Sequence, residues 1–171
     1  MAYYCSCKPS LLFLLFLISA TAQARDTVTT HLHFFFHEEY SGPNATVITV
    51  VNSTTSNPGG FGSIAVADND LREGSSLDSK LIGRAQGIAP VVSQSGQMTW
   101  LGLFNFVFTE GEYNGSSLTV VGLATLEAVT ERSIIGGTGK FRMARGYAIH
   151  TLLSGVPEGR FIVEFDAYVE H

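Results

Sequence analysis

The residues best suited by type to do chemistry lie near the two ends of the chain. Leu32, Phe34 and Phe36 alternate along a β-prone run, and Glu38 continues their face. A carboxyl group at the end of an aromatic wall is poorly solvated, which raises its pKa and lets it serve as a general acid or base. Far downstream, Phe141, Met143, Arg145, Tyr147 and Ile149 occupy alternate positions and form an apolar face with one guanidinium in it. Such an arginine keeps its proton and needs a carboxylate or a ligand oxygen. Glu38 is its candidate partner in an acid–cation site, the alternative being that the two form a structural ion pair or face solvent. On the opposite face of the first run stand His31, His33 and His37. Imidazoles two residues apart on a strand can chelate zinc, with a third completing the site. The same pattern serves a solvated or interface face, and nothing else in the chain marks an open coordination position, so no metal is expected.

Residues 134 to 147, IIGGTGKFRMARGY, invite a phosphate-binding reading that fails on spacing. A P-loop needs Gly-Lys followed by Ser or Thr, with a glycine five residues before the second one. Here Phe141 follows Lys140, and Ile134 stands at the first glycine's position. The dinucleotide fingerprint fails as well, since Arg142 occupies its third glycine position and no βαβ unit surrounds it. The glycines are read as a tight turn entering a strand. No Gly-x-Ser-x-Gly elbow supports a serine nucleophile, and no cofactor is expected.

These groups need a scaffold. The 171 residues carry a formal charge of -5 without any Lys/Arg cluster, which removes the electrostatic footprint of nucleic-acid binding. Lys8, the apolar run Leu11 to Ile18 and the small residues around Ala20-Thr21-Ala22 or Ala22-Gln23-Ala24 have the layout of a secretory signal peptide, expected over residues 1–24. The run is short for a bilayer span and no later stretch is long and apolar enough, so no membrane partner is expected. Both cysteines, Cys5 and Cys7, fall in the segment to be removed. A secreted domain without thiols has to rely on burial and backbone pairing, which favours a closed sheet. Sequons at Asn44, Asn52 and Asn114 are candidates for glycosylation.

β-prone runs fall at about 29–36, 46–52, 62–67, 80–88, 98–109, 117–126, 140–153 and 160–169, separated by turn residues and with no amphipathic helix. Tyr113-Asn114-Gly115-Ser116 is the strongest hairpin signal, of the type I′ kind. Eight such strands predict an all-β domain over residues 25–171, a sandwich or a closed antiparallel barrel. Leu101 to Phe108 is apolar on both faces, which fits a barrel with an apolar interior whose outside packs on other subunits.

Several strings together resemble the plant dirigent proteins: His33 to His37, Gly62 to Asp70, Gly83-Arg84-Ala85-Gln86-Gly87, Phe104 to Thr109, Tyr113 to Ser116, and Gly136-Gly137-Thr138-Gly139 with Phe141 and Ala144-Arg145-Gly146-Tyr147. The resemblance runs in order over nearly the whole chain after the signal. It implies an eight-stranded antiparallel β-barrel of the allene-oxide-cyclase type, a homo-oligomer (trimer before dimer), and secretion to the apoplast. It also implies stereoselective coupling of phenoxy radicals such as those of monolignols, two coniferyl alcohol radicals giving a lignan. A separate laccase or peroxidase supplies the radicals. On this basis Glu38 and Arg145 are the candidate catalytic pair, and Phe34, Phe36, Phe104, Phe106, Lys140 and Tyr147 are the candidate phenolic-binding residues.

Three departures from the family pattern bear on the substrate. Glu38 stands where the family usually has Asp, Lys140 where lignan-forming members often have an acid, and Ile88-Ala89-Pro90-Val91 where they tend to have tyrosines. The resemblance therefore also implies two other roles. One is the dehydration and cyclisation of isoflavonoid alcohols through a quinone methide, and the other is non-catalytic binding of phenolics in the cell wall.

Overall fold

Period-two alternation of apolar and polar residues produces nine strands. They are β1 (Thr29–Glu39), β2 (Val47–Val51), β3 (Ile64–Arg72), β4 (Leu81–Pro90), β5 (Trp100–Phe108), β6 (Ser117–Ala124), β7 (Val129–Thr138), β8 (Arg145–Leu152) and β9 (Arg160–Glu170). The structure, a computed structural model, describes residues 27–54, 59–127, 129–153 and 159–171. The expected signal peptide and both cysteines lie outside the described residues. All pairings are antiparallel, in the order β1-β9-β8-β7-β6-β5-β4-β3-β2, and β1 also pairs with β3.

That last pairing closes the sheet. His37 lies opposite Asp70 on β3, and ten residues later Val47 of β2 lies opposite Ala67 on the same edge. The Thr46 amide donates to the Glu39 carbonyl at 2.8 Å, so the chain leaves the sheet after β1 and resumes the same line as β2. β1 and β2 make one interrupted stave, and the barrel has eight. This is the expected all-β, eight-stranded antiparallel barrel, and closure removes the free edges that a nine-stranded open sheet would expose.

Two local expectations are corrected. The run read as one strand over 140–153 is a 3-10 turn at Gly139–Phe141 followed by β8, and the stretch before it is a strand of its own, β7. β7 was hidden by its glycines. Gly137 is needed because a Cβ there would stand 2.5 Å from the Ser117 carbonyl oxygen, a close approach between strands rather than a phosphate cradle. The β5–β6 hairpin exists, but its turn has Asn114 at φ -50 and ψ 131 followed by Gly115 at φ 79, the type II pattern in place of type I′.

The interior is filled from one end. Phe34, Phe106 and Phe165 are almost fully buried at mid-barrel, with Phe34 stacked on Phe165 at 5.7 Å and Phe106 edge-on to Phe165 at 5.1 Å. Phe108, Tyr113 and Phe141 continue the packing toward one rim, Tyr113 stacking on Phe141 at 4.9 Å. These rings plug that end. Among the described residues, the opposite end stays open.

Candidate functional site

The open end holds a cavity of about 370 Å³, within the usual range for small-molecule sites. Its wall is mostly apolar, including Phe36, Trp100, Phe104, Phe161 and Val163, and the polar side chains that line it include Glu38, Tyr40, Arg132 and His150. Each strand contributes the end that faces this mouth. β1 delivers Glu38 because the Leu32, Phe34, Phe36 alternation runs unbroken into it, so the carboxyl group inherits the inward face.

Glu38 accepts two long hydrogen bonds, from the Tyr40 hydroxyl at 3.3 Å and from Asn69 Nδ2 at 3.4 Å. Burial raises its pKa to about 7, against the opposing pull of the Arg132 charge and of the two donors. At neutral pH the group is balanced between acid and base, as proton transfer requires.

Arg132 is the cation that faces it. The residue is 5% exposed, and its Nε and Nη1 have no hydrogen-bond partner among the described residues. Burial lowers its pKa while the charge of Glu38 works the other way. The guanidinium carbon sits 6.0 Å from the centre of the Phe104 ring and 5.9 Å from that of Phe165. Two glycines, paired across β5 and β6, make the channel in which this side chain lies. A Cβ on Gly122 would stand 3.0 Å from Arg132 Cα and Cγ, and one on Gly102 would overlap Nη1. A buried, pre-positioned guanidinium with unused N–H groups is set to take a ligand oxygen.

His150 completes the polar set. Its Nδ1 lies 2.6 Å from Thr130 Oγ1, directly across the β7–β8 ladder. Burial and then the Arg132 charge push its pKa down to about 3, so the ring is neutral at physiological pH.

The residues expected from sequence divide. Glu38, Phe36 and Phe104 line the cavity, while Phe34 and Phe106 lie below it in the packed interior. Arg145, Tyr147 and Lys140 do not reach the cavity. Arg145 is on the outside of the barrel, with 74% of its side chain exposed, and bonds Glu170 at 2.9 Å. Tyr147 is also outside, stacked on Tyr168 at 5.0 Å. Lys140 is at the plugged end, 5.8 Å from the Tyr113 ring centre. The cause is a break in alternation: Phe141 closes a 3-10 turn, and the left-handed Met143, with φ 67, comes between it and Arg145. Phe141 therefore turns inward and Arg145 outward, and the inner face of β8 carries Ala148 and His150. Arg132, His150, Tyr40 and Asn69 went unrecognised. A trace of Arg132 was legible, since Arg132 and Ile134 alternate with the polar Glu131 and Ser133.

His37 leaves the histidine group of β1, its Nε2 lying 3.0 Å from the Gly74 carbonyl oxygen. His31 and His33 face outward. Asn44, Asn52 and Asn114 are all exposed. No helix among the described residues is long and apolar enough to cross a membrane.

The sequence model of one family, described as Dirigent-like protein, matches residues 29–170. Pterocarpan synthase 1 of Glycine max is 38% identical over 99% of this chain and 88% of its own length. Dirigent protein 1 of Arabidopsis thaliana is 43% identical over 83% of this chain and 75% of its own. Among solved structures, a pterocarpan synthase dirigent protein superposes with a TM-score of 0.78 at 38% identity, covering 87% of this chain and 88% of that one.

Proposed function

The chain belongs to the dirigent family, and from that premise we propose that its barrel mouth binds a phenolic species and controls the stereochemistry of the bond it forms. The observation that carries this reading is the Glu38 carboxyl group sharing an apolar cavity with the buried Arg132 guanidinium, whose Nε and Nη1 have no hydrogen-bond partner among the described residues. The apolar wall holds the aromatic rings and exposes one prochiral face. Arg132 binds a phenolic or carbonyl oxygen, and Glu38 moves the proton. Arg132 thus takes the role that the sequence reading gave to Arg145.

In phenoxy-radical coupling, two radicals made by an external laccase or peroxidase join through one C–C bond to give a bis-quinone methide. Each side-chain hydroxyl then adds to a methide carbon. Its proton passes to the Glu38 carboxylate, while the quinone oxygen is protonated to a phenol. No net oxidation occurs after the radicals form, so the protein needs no redox group of its own.

A second reading has a specific support, the likeness to pterocarpan synthases over nearly the full chain. There Glu38 in its acid form protonates a benzylic hydroxyl, the C–O bond breaks and water leaves, and loss of the phenolic proton gives a quinone methide. An internal phenol then adds to the methide carbon and returns its proton to Glu38, while the quinone oxygen regains the proton it lost and becomes a phenol again.

The proposal extends to export through the signal peptide into the apoplast, glycosylation at Asn44, Asn52 or Asn114, and a homo-oligomer, with a trimer favoured. Coupling coniferyl alcohol with a laccase, with and without the protein, tests the first reading by chiral chromatography. Enantiomeric excess that rises with protein at constant total oxidation supports it. A racemic product, together with oxidant-free turnover of an isoflavonoid alcohol, moves the function to the second reading. Neither outcome in both assays rejects stereocontrol at this site and leaves simple binding.

A further inference from the structure

The outer face of the barrel carries a second cluster of chemical groups, away from the mouth, on the seam between the first and last strands. In the β1–β9 ladder His33 lies directly opposite Asp166, and Glu164 sits one step along, opposite Phe35. His33 Nε2 is 2.7 Å from Glu164 Oε1, and His31 Nε2 is 2.9 Å from Asp166 Oδ1. One ligand atom from each of His33, Glu164 and Asp166 lies within 4.8 Å of the others. Among the described residues, the side-chain partners found for these two carboxylates are imidazoles, not lysine or arginine.

We propose that His33, Glu164 and Asp166 form a binding site for a divalent transition metal of the zinc type, with water completing the coordination. Two carboxylates and one neutral imidazole balance a double positive charge. The nitrogen ligand favours zinc, copper or nickel over calcium and magnesium, which prefer all-oxygen shells. Tetrahedral zinc, with bonds of about 2.0 to 2.2 Å, asks for separations of about 3.5 Å between ligand atoms. Rotation of these solvent-facing side chains is enough to reach that spacing. The metal then replaces the shared proton of the His33–Glu164 contact.

His31 acts as a positioning residue for the site. Its ring stacks on Tyr168 at 4.7 Å and its nitrogen holds Asp166, the way an outer-shell partner orients a ligating carboxylate. From sequence the two histidines stood alone, because the carboxylates that complete the set come from the opposite end of the chain. A metal here ties the N-terminal strand to the C-terminal one, so binding stabilises the closed barrel.

The test is calorimetric titration of tag-free, chelator-treated protein with zinc chloride, paired with melting curves. The expected result is saturation at one equivalent per chain with a rise in melting temperature. Calcium should give neither. His33→Ala and Glu164→Gln each weaken zinc binding at least tenfold and remove the melting shift, whereas His31→Ala weakens it about tenfold, in the range for outer-shell partners. All three residues are at least partly exposed, and unchanged circular dichroism establishes that the variants fold. Absence of saturable zinc binding in the wild type overturns the proposal, and so does zinc affinity that survives in the His33→Ala/Glu164→Gln double variant.

Discussion

The two ends of the barrel are built from the same alternation and finish in opposite ways. At the plugged end the inward positions are aromatic, and Phe34, Phe106, Phe108, Phe141 and Phe165 fill the bore at 0 to 4% exposure. At the mouth β1 switches from Phe34 to Glu38, β7 and β8 bring Arg132 and His150 among glycines and small residues, and a cavity of about 370 Å³ remains. The plug repays the entropy of folding through apolar burial. The mouth does the reverse, burying a guanidinium whose Nε and Nη1 lack a partner among the described residues and a carboxyl group with long hydrogen bonds. Unsatisfied polar groups destabilise a fold unless a ligand completes them, which marks this end as the working one.

The contrast can be broken by substitution. Glu38→Gln keeps the shape of the mouth and removes the titrating proton. Product formation in the oxidant-free assay should slow by about 10² to 10⁴, or enantiomeric excess in the coupled assay should fall toward zero, with the melting temperature held or raised. At the plug the balance inverts: Phe106→Ala should cost about 3 to 5 kcal/mol by denaturant unfolding, and Phe36→Ala clearly less because its site already borders a cavity.

Smaller changes sharpen the comparison. Gly102→Ala places a methyl group where Nη1 of Arg132 lies. The guanidinium is the far end of a flexible side chain and can move, so stability should change by less than about 1 kcal/mol while activity drops clearly. A stability loss without an activity loss would show that the glycine pair serves packing alone.

The pH dependence follows from two opposed shifts. Folded Glu38, with a pKa of about 7 in place of 4.5, keeps a proton that the unfolded chain releases. Its contribution to stability is therefore fully present below pH 4.5 and is lost as pH rises to 7. His150, pushed from 6.5 to about 3, contributes in the other direction: stability is present above 6.5 and lost as pH falls toward 3. The two slopes cancel between about 4.5 and 6.5. In Glu38→Gln the cancellation is gone, and stability measured by denaturant titration should climb across that interval.

The barrel was legible in the sequence because alternation and turn residues are local signals. Glu38 was legible for the same reason, since nothing interrupts β1 between Leu32 and the carboxyl group. Arg145 was misread because one left-handed residue, Met143, and a three-residue turn reset the phase, and face assignment depends on every intervening residue being extended. Arg132 was missed for a different reason. What makes it special is the paired glycines Gly102 and Gly122 on two other strands, and that relation exists only once the strands are in register.

The most direct test of the central claim sets one arginine against the other. Arg132→Leu and Arg145→Leu are compared with the wild type by chiral chromatography of the product, under whichever assay the protein supports. The account predicts that Arg132→Leu loses stereocontrol and that Arg145→Leu, on the outer surface with Glu170, keeps it. Retained stereocontrol in Arg132→Leu, with loss in Arg145→Leu, would contradict the assignment of the mouth as the site where the bond is made.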